Sequence, residues 1–472
     1  MSKIVKNAFV EFHTKKDGFY YEERSTSTNH FGVFFLELNE SPILKTPQFV
    51  YSSNDMSGSM SEYCDDGSTK MKHLHTTLEN IIALFSKKSA EIGMEIVGFD
   101  NIITEVISAT KINHNDERQV NEICKKINKI LKPRNSTDIG LALNHAKSKL
   151  GSELSSSFSE KHFIFMTDGN ITKGEKKIAN LQSQIPTGSR NYFIGFGIDH
   201  DYILLQSLAE TYSDAYYYVD KIENAGLVFG EIIHSILYTA LKDIIITVEN
   251  GEIYDFVKNE WTDKIKVPYL CGEAKKQYHV RSATPELFEI THSACEVSTG
   301  NIYMSTEIAV PDLENGDGEI IETDLRKYMY RQVTLQLLSE ALELAKKYNR
   351  VPYEEQEELR EKIYNFRHEL QIYANDCSNE NEQQFMKQLC DDLYICEKMM
   401  NSKYMLLYTN VRKTSQGSGG SYNITKIENY QFYNDDYEIS QDALNRSNTS
   451  ETQCEIMREC SQRYNDDDTY II

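Results

Sequence analysis

Between about residues 46 and 241, short apolar runs alternate with longer segments whose apolar residues recur every three or four positions. The runs predict buried β-strands, for example at 94–99 and 162–166. The longer segments predict amphipathic helices, for example at 68–91. We therefore expect an α/β fold with a doubly wound, mostly parallel sheet of six strands in this part of the chain.

The segments on either side of this region have different patterns. Residues 1–45 and 243–310 contain short strand-like runs, which predict a β-sandwich into which residues 46–241 are inserted. Residues 320–402 have helical periodicity and predict a C-terminal helical region. From 413 to 472 the chain is acidic and rich in Ser, Gly, Asn and Asp, which predicts a flexible tail.

The composition limits the partners that the protein can have. The chain has 472 residues, with 50 Lys and Arg against 72 Asp and Glu, a formal net charge of −22. A chain this acidic is expected to repel nucleic acid and anionic membrane surfaces. It has no run of about 18 apolar residues and no apolar segment at its start, so we expect neither a transmembrane helix nor a secretory signal.

The nine cysteines are scattered and form no Cys-x-x-Cys pair, which argues against a zinc ribbon or a RING domain. Without a secretory signal, reduced thiols and a cytoplasmic location are expected. The high content of Asn, Ile, Lys and Tyr is typical of an AT-rich genome, such as that of a protist or a giant virus.

Oxygen-bearing side chains occur at three places in the α/β region. Asp55, Ser57 and Ser59 occupy alternate positions of a loop after an apolar run, so their oxygens can converge. Thr137 opens a predicted helix, and Asp168 follows a predicted strand. Ligands of such sheets bind outside the carboxyl ends of the strands. Carboxylates and hydroxyls are the donors that Mg²⁺, Mn²⁺ and Ca²⁺ prefer, so the sequence predicts a site for a divalent cation.

These three fragments, in this order, resemble the metal-ion-dependent adhesion site of the von Willebrand factor type A (vWA) domain, over about residues 45–240. The resemblance implies a vWA fold. It also implies that five side chains bind Mg²⁺ or Mn²⁺, namely Asp55, Ser57, Ser59, Thr137 and Asp168. The function it implies is non-catalytic, cation-dependent binding of a partner protein whose acidic side chain supplies a further ligand.

The chain departs from the family pattern at two places. Residues 52–54 are Ser, Ser and Asn, where the family has apolar residues before Asp55. A strand buried on both faces then needs partners for these polar groups. Residues 135–136 are Asn and Ser, where the family has two glycines before Thr137, and this stiffens the loop.

Two other functions stay open on the sequence. Carboxylates beside a divalent ion could activate water in a metal-dependent hydrolase, although no pair of nucleophile and base is recognisable. A structural scaffold whose site holds no ion is the other alternative. The C-terminal helical region is similar to that of vWA proteins of plants and giant viruses, but the sequence shows no ligase domain of the kind that the plant proteins carry.

Overall fold

The computed structural model describes most of the chain, namely residues 4–13, 29–63, 67–88, 90–134, 136–152, 157–168, 170–197, 200–211, 215–219, 222–309, 323–347, 352–400, 405–418 and 449–466. The chain divides into two compact units. One unit comprises Met1–Ser41 and Ala240–Glu451, and the other comprises Pro42–Thr239 and Thr452–Ile472. Each unit is therefore built from two separate segments of the chain.

Strands and helices make up most of the described residues. The strands are β1 (Val5–Phe12), β2 (His30–Leu38), β3 (Gln48–Asp55), β4 (Ile92–Phe99), β5 (Ile103–Lys111), β6 (Glu160–Thr167), β7 (Arg190–Phe196), β8 (Ala215–Val219), β9 (Thr239–Glu249), β10 (Glu252–Asp255), β11 (Glu260–Thr262), β12 (Lys264–Cys271), β13 (Lys275–Ser282), β14 (Glu289–Glu296) and β15 (Ile302–Ile308). The α-helices are α1 (Lys70–Lys87), α2 (Glu117–Ile130), α3 (Ile139–Leu150), α4 (Ile178–Gln182), α5 (Tyr202–Glu210), α6 (Ile222–Tyr238), α7 (Arg326–Lys346), α8 (Tyr353–Asp376), α9 (Glu380–Met399), α10 (Met405–Ser418) and α11 (Glu451–Asp466).

The second unit contains a six-stranded sheet in the order β5-β4-β3-β6-β7-β8. All neighbouring strands are parallel except β4 and β5. The order of strands reverses at β3, because β4 lies on one side of it and β6, the next parallel strand along the chain, lies on the other. The predicted fold class, a doubly wound and mostly parallel sheet, is confirmed.

Residues 52–54, the polar end of β3, are buried, and two of these three side chains are hydrogen-bonded within the sheet. Asn54 donates from Nδ2 to the carbonyl oxygen of Val97 on β4 at 2.8 Å. Ser52 donates from Oγ to Asn54 Oδ1 at 3.1 Å. Both side chains are fully buried, so these bonds offset the cost of removing polar groups from water. The departure from the family pattern before Asp55 is therefore accommodated at Ser52 and Asn54, whereas the Ser53 hydroxyl has no hydrogen-bond partner within the described residues.

The helices of this unit pack in two groups. Helices α3, α4 and α5 share an apolar core with the sheet, to which β3 contributes Phe49 and Tyr51. Helix α1 packs against α2 and α6. Thr69 begins α1 by accepting a hydrogen bond from the Lys72 N–H group, a capping role that hydroxyl side chains commonly have. None of the described helices is both long and apolar enough to cross a membrane.

The structure differs from the predicted flexible tail of residues 413–472 at both of its ends. Helix α10 continues to Ser418, and α11 forms near the C-terminus, while residues 419–448 lie outside the described residues. Helix α11 buries Ile456, Met457 and Cys460, which recur at helical spacing. The prediction was wrong for these segments because bias in composition hid a short amphipathic pattern.

Helix α11 packs closely on α6 within the second unit. A Cβ atom at Gly230 would lie 2.7 Å from Met457 Cα, and one at Gly226 would lie 2.6 Å from Ser461 Cα. The two glycines thus let the helix backbones approach each other. Glu459 of α11 also pairs with Lys87 at 3.3 Å and with Lys88 at 3.6 Å.

The first unit contains a β-sandwich and a group of helices. One sheet has the order β1-β2-β13-β10-β11, and the other has the order β12-β9-β14-β15. Their inward residues share one apolar core, and on β9 Ile244, Ile246 and Val248 alternate with more exposed positions. Helices α7, α8, α9 and α10 share a second core.

Candidate metal site

The candidate site lies at the carboxyl ends of β3 and β6. These strands are adjacent and parallel, with Asn54 opposite Met166 in the register. Asp55 is the last residue of β3, and Asp168 directly follows β6. The sheet therefore brings the two carboxylates to the same edge. Thr167, the last residue of β6, even donates a hydrogen bond to Asp55 across a separation of 112 positions in the sequence.

A continuous chain of hydrogen bonds joins four of the five predicted ligands. Asp55 Oδ1 accepts from the Ser57 N–H group at 2.7 Å. The hydroxyls of Ser57 and Ser59 lie 2.9 Å apart, and Ser59 donates to Asp168 Oδ1 at 2.9 Å. The other oxygen of Asp55 accepts from the Thr167 hydroxyl at 2.5 Å. Asp55, Ser57, Ser59 and Asp168 thus form one cluster of oxygen atoms.

Packing beneath the loop holds this cluster in place. Met56 is fully buried and lies against Gly98, where an added Cβ would meet the Met56 sulfur at 2.0 Å. After Ser57 the chain makes a single 3₁₀ turn, Gly58–Ser61. In this turn the Met60 N–H group donates to the Ser57 carbonyl at 3.1 Å. Contacts within the chain therefore hold the backbone of the loop without any ligand.

Thr137, the fifth predicted ligand, is buried at the same edge but stands apart from the other four. No hydrogen bond within the described part of the chain joins it to them. Its N–H group donates to Thr172 Oγ1 at 2.8 Å, and its neighbour Asp138 donates from N–H to the Asp100 carbonyl at 2.9 Å. Arg134 donates from N–H to the Met56 carbonyl at 2.6 Å, which ties this loop to the first one. Asn135 lies outside the described residues.

Lys70 is a member of the site that sequence reasoning missed. Its Nζ lies 2.8 Å from Asp168 Oδ2 and 2.7 Å from Glu62 Oε2. The residue is the first of α1, and its side chain is 13% exposed. A lysine at the start of a helix has no special pattern in the sequence, because only the fold shows that its ammonium reaches Asp168.

Burial and hydrogen bonding act in opposite directions on the charges of the site. Burial raises the pKa of Asp55 to about 6, hydrogen bonds from Thr167 and Ser57 oppose the rise, and the Asp168 carboxylate adds to it. Burial works against the Lys70 ammonium, yet hydrogen bonds to Asp168 and Glu62 outweigh it and raise the Lys70 pKa. A positive charge is therefore favoured beside these carboxylates.

The donor atoms fit a hard divalent cation. Two carboxylates and three hydroxyls are the oxygen ligands that Mg²⁺ and Mn²⁺ prefer. Over the described residues, no group of three or more His, Cys, Asp or Glu side chains could hold a metal ion. A cation at this edge would therefore depend on the serine and threonine hydroxyls as well as on Asp55 and Asp168.

A comparison with protein families supports the α/β fold described above. Residues 54–231 match the family model of the von Willebrand factor type A domain. No curated protein sequence matches the chain.

Several solved structures are similar to the chain at low sequence identity. The ArnB paralog VWA2 from Sulfolobus acidocaldarius has 13% identity and a TM-score of 0.49, covering 83% of this chain and 94% of its own. A von Willebrand factor type A protein from Catenulispora acidiphila has 12% identity and a TM-score of 0.48, covering 79% and 89%. The PilB minor pilin from Streptococcus sanguinis has 15% identity and a TM-score of 0.34, covering 48% and 78%.

Proposed function

We propose that the vWA domain formed by residues 54–231 binds a partner protein through a divalent cation, Mg²⁺ or Mn²⁺, without catalysing a reaction. The domain type supports the general part of this proposal, because vWA domains commonly mediate protein–protein interactions. We propose five residues as the ligands of the cation: Asp55, Ser57, Ser59, Thr137 and Asp168. The partner would offer a carboxylate.

One observation carries the proposal, namely the chain of hydrogen bonds from Asp55 through Ser57 and Ser59 to Asp168. These bonds hold three oxygen-bearing side chains of the first loop beside a carboxylate from a different strand. A cluster of polar oxygens at the end of a central strand is costly to desolvate. A bound cation would repay that cost, which supports a ligand site at this edge of the sheet.

Each side chain has a definite task in this proposal. Asp55 and Asp168 supply negative charge from opposite sides of the loop. Ser57, Ser59 and Thr137 supply neutral oxygens, which leave the charge of a cation largely uncancelled. A divalent cation bound there supplies an electrophilic centre for one more oxygen from outside. The typical absence of catalysis in vWA domains favours this binding role over the hydrolase considered from the sequence.

The test combines a titration with a capture experiment on the full chain. We expect MnCl₂ and MgCl₂ to bind the wild-type protein in calorimetry, and Asp55→Ala and Asp168→Ala to abolish this binding. Partner capture from native lysate is expected to be lost in EDTA and in both variants.

The matched control is Ser53→Ala, which removes a fully buried hydroxyl of β3 that has no hydrogen-bond partner within the described residues. This control should bind the cations and the partner as the wild type does. Capture that persists in EDTA and in both aspartate variants would contradict the proposal.

The contact of Lys70 with Asp168 favours a second candidate, a scaffold whose site holds no divalent cation. The ammonium already neutralises Asp168 at 2.8 Å, so the fold can persist without a metal. Absence of any Mn²⁺ or Mg²⁺ binding by the wild-type chain would support this alternative over the first.

A further inference from the structure

Lys70 is held at the candidate site by contacts with its own chain. Its backbone N–H group donates to the Glu62 carbonyl at 3.0 Å, and its Nζ contacts the Glu62 carboxylate at 2.7 Å. An isolated bridge between Tyr63 and Thr69 closes the same loop. The start of α1 is therefore pinned to the loop that carries Ser57 and Ser59.

The path of the Lys70 side chain follows the edge of the sheet. Its Cε would lie 3.6 Å from a Cβ atom added to Gly197, the residue that follows β7. The ammonium then ends against Asp168, whose side chain is fully buried. Both oxygens of Asp168 are used, since Oδ1 accepts from Ser59 and Oδ2 from Lys70.

We propose that Lys70 is a tethered cation that competes with the divalent cation for Asp168. The inference rests on the proposed function, because it presupposes the cation site. When no divalent ion is bound, the Lys70 ammonium contacts one oxygen of Asp168. Its single positive charge is then shared by the carboxylates of Asp168 and Glu62. A divalent ion that takes the same carboxylate must displace a charge-assisted hydrogen bond, which is stronger than a neutral one.

The geometry also gives the displaced ammonium a position to occupy. Glu62, whose side chain is 63% exposed, can keep its ion pair with Lys70 while Asp168 is released. The exchange therefore needs no movement of α1. Lys70 thus sets the concentration of free divalent cation above which the domain becomes ready for a partner.

The experiment measures Mn²⁺ and Mg²⁺ affinity by calorimetry for the full-length wild type, Lys70→Met and Lys72→Met. Methionine keeps an apolar stem and removes the ammonium. Lys72 is exposed on the same helix, so Lys72→Met changes the net charge equally without touching Asp168. We expect Lys70→Met to bind about tenfold more tightly or better, since a hydrogen bond to a charged group has at least this effect. Lys72→Met should match the wild type.

A second variant and a second readout keep the test independent of folding defects. Lys70→Gln retains a donor for Asp168 but no charge, and it should shift the affinity in the same direction. Thermal unfolding in EDTA and in MgCl₂ reports whether each variant is folded. The rise in melting temperature caused by MgCl₂ should be larger for Lys70→Met than for the wild type.

Each outcome separates this inference from the proposed function. Equal affinity of Lys70→Met and the wild type would overturn the role of Lys70 and leave the cation site standing. Binding by Lys70→Met but not by the wild type would support the competition and overturn cation-dependent binding by the native chain. No binding by any folded variant would overturn both.

Discussion

Two buried carboxylates, one in each unit, are neutralised in different ways. Asp392 on α9 accepts a hydrogen bond from Gln416 Nε2 at 2.7 Å and lies 3.7 Å from Arg412 Nε. The side chains of Asp392 and Arg412 are at most 1% exposed. Asp168, at the edge of the six-stranded sheet, instead contacts an ammonium that also reaches an exposed glutamate.

The cluster around Asp392 is closed by further helix contacts. Arg331 of α7 donates from Nε to the Gln416 carbonyl at 2.8 Å, and burial lowers the pKa of its guanidinium to about 10. Arg412 and Gln416 lie on α10, so three helices meet at these charges.

The difference separates a structural charge cluster from a candidate ligand site. If one partner is lost from the closed cluster, water and ions have little access to replace it, and an unpaired buried charge is costly. At the end of the sheet, a cation or water can take the place of the ammonium. The second arrangement can exchange its partners at lower cost, which is why we propose a binding role for Asp168 and not for Asp392.

The largest expected effect comes from breaking the closed cluster with Arg412→Met. The free energy of unfolding of this unit should fall by about 3–5 kcal/mol, because Asp392 loses a buried partner. Urea unfolding measures the loss, with hydrogen exchange of α9 and α10 identifying the transition. The control, Lys346→Met, breaks a surface pair with Glu343 in which both side chains are more than 60% exposed, and it should cost about 0–1 kcal/mol. A similar small loss for Arg412→Met would remove the contrast between the clusters.

A smaller effect is expected when the pH is lowered, because protonation of His279 would add a positive charge beside Arg331 in the cluster around Asp392. His279 bonds to Gln332 Oε1 at 2.7 Å, and burial, with the charge of Arg331 adding to it, lowers the His279 pKa to about 3. The unfolded chain binds this proton near pH 6.5, so the stability from neutral His279 is present above that pH and is lost as the pH falls towards 3.

Between pH 7 and pH 5 the wild type should therefore lose about 2 kcal/mol relative to His279→Gln, which has no proton to gain. Urea unfolding of both proteins across this range measures the difference. If the two pH profiles run parallel, His279 does not limit the acid stability of this cluster.

The smallest effect comes from the contact between α6 and α11, which lies in the same unit as the candidate site. In the full chain Gly230→Ala should cost about 1 kcal/mol, because the new methyl group meets the backbone of α11. In a chain that ends at residue 448 the same change should stabilise α6 by about 0.5–1 kcal/mol, because Ala favours a helix over Gly. Thermal unfolding of the four proteins gives both values. The same sign in both backgrounds would show that α11 does not pack on α6 in solution.

Much of the fold could be predicted because its signals are local. Alternation of apolar runs and amphipathic segments depends on residues a few positions apart, and it identified the six-stranded sheet. Helix α11 was missed because three apolar residues within a polar, acidic segment give a weak periodic signal. Their burial depends on the glycine surface of α6, more than 200 positions earlier in the chain.

The candidate site likewise has some features that the sequence predicted and others that only the tertiary structure shows. The sequence alone determined that Asp55, Ser57 and Ser59 lie close together after an apolar run and that Asp168 follows a buried strand, because short-range geometry fixes these relations. Only the tertiary structure decided that Ser59 and Lys70 meet Asp168, and that Thr137 stands apart from the hydrogen-bonded four. Contacts between distant segments depend on how sheet and helices pack, and a charged side chain has no periodic pattern that reveals its partner.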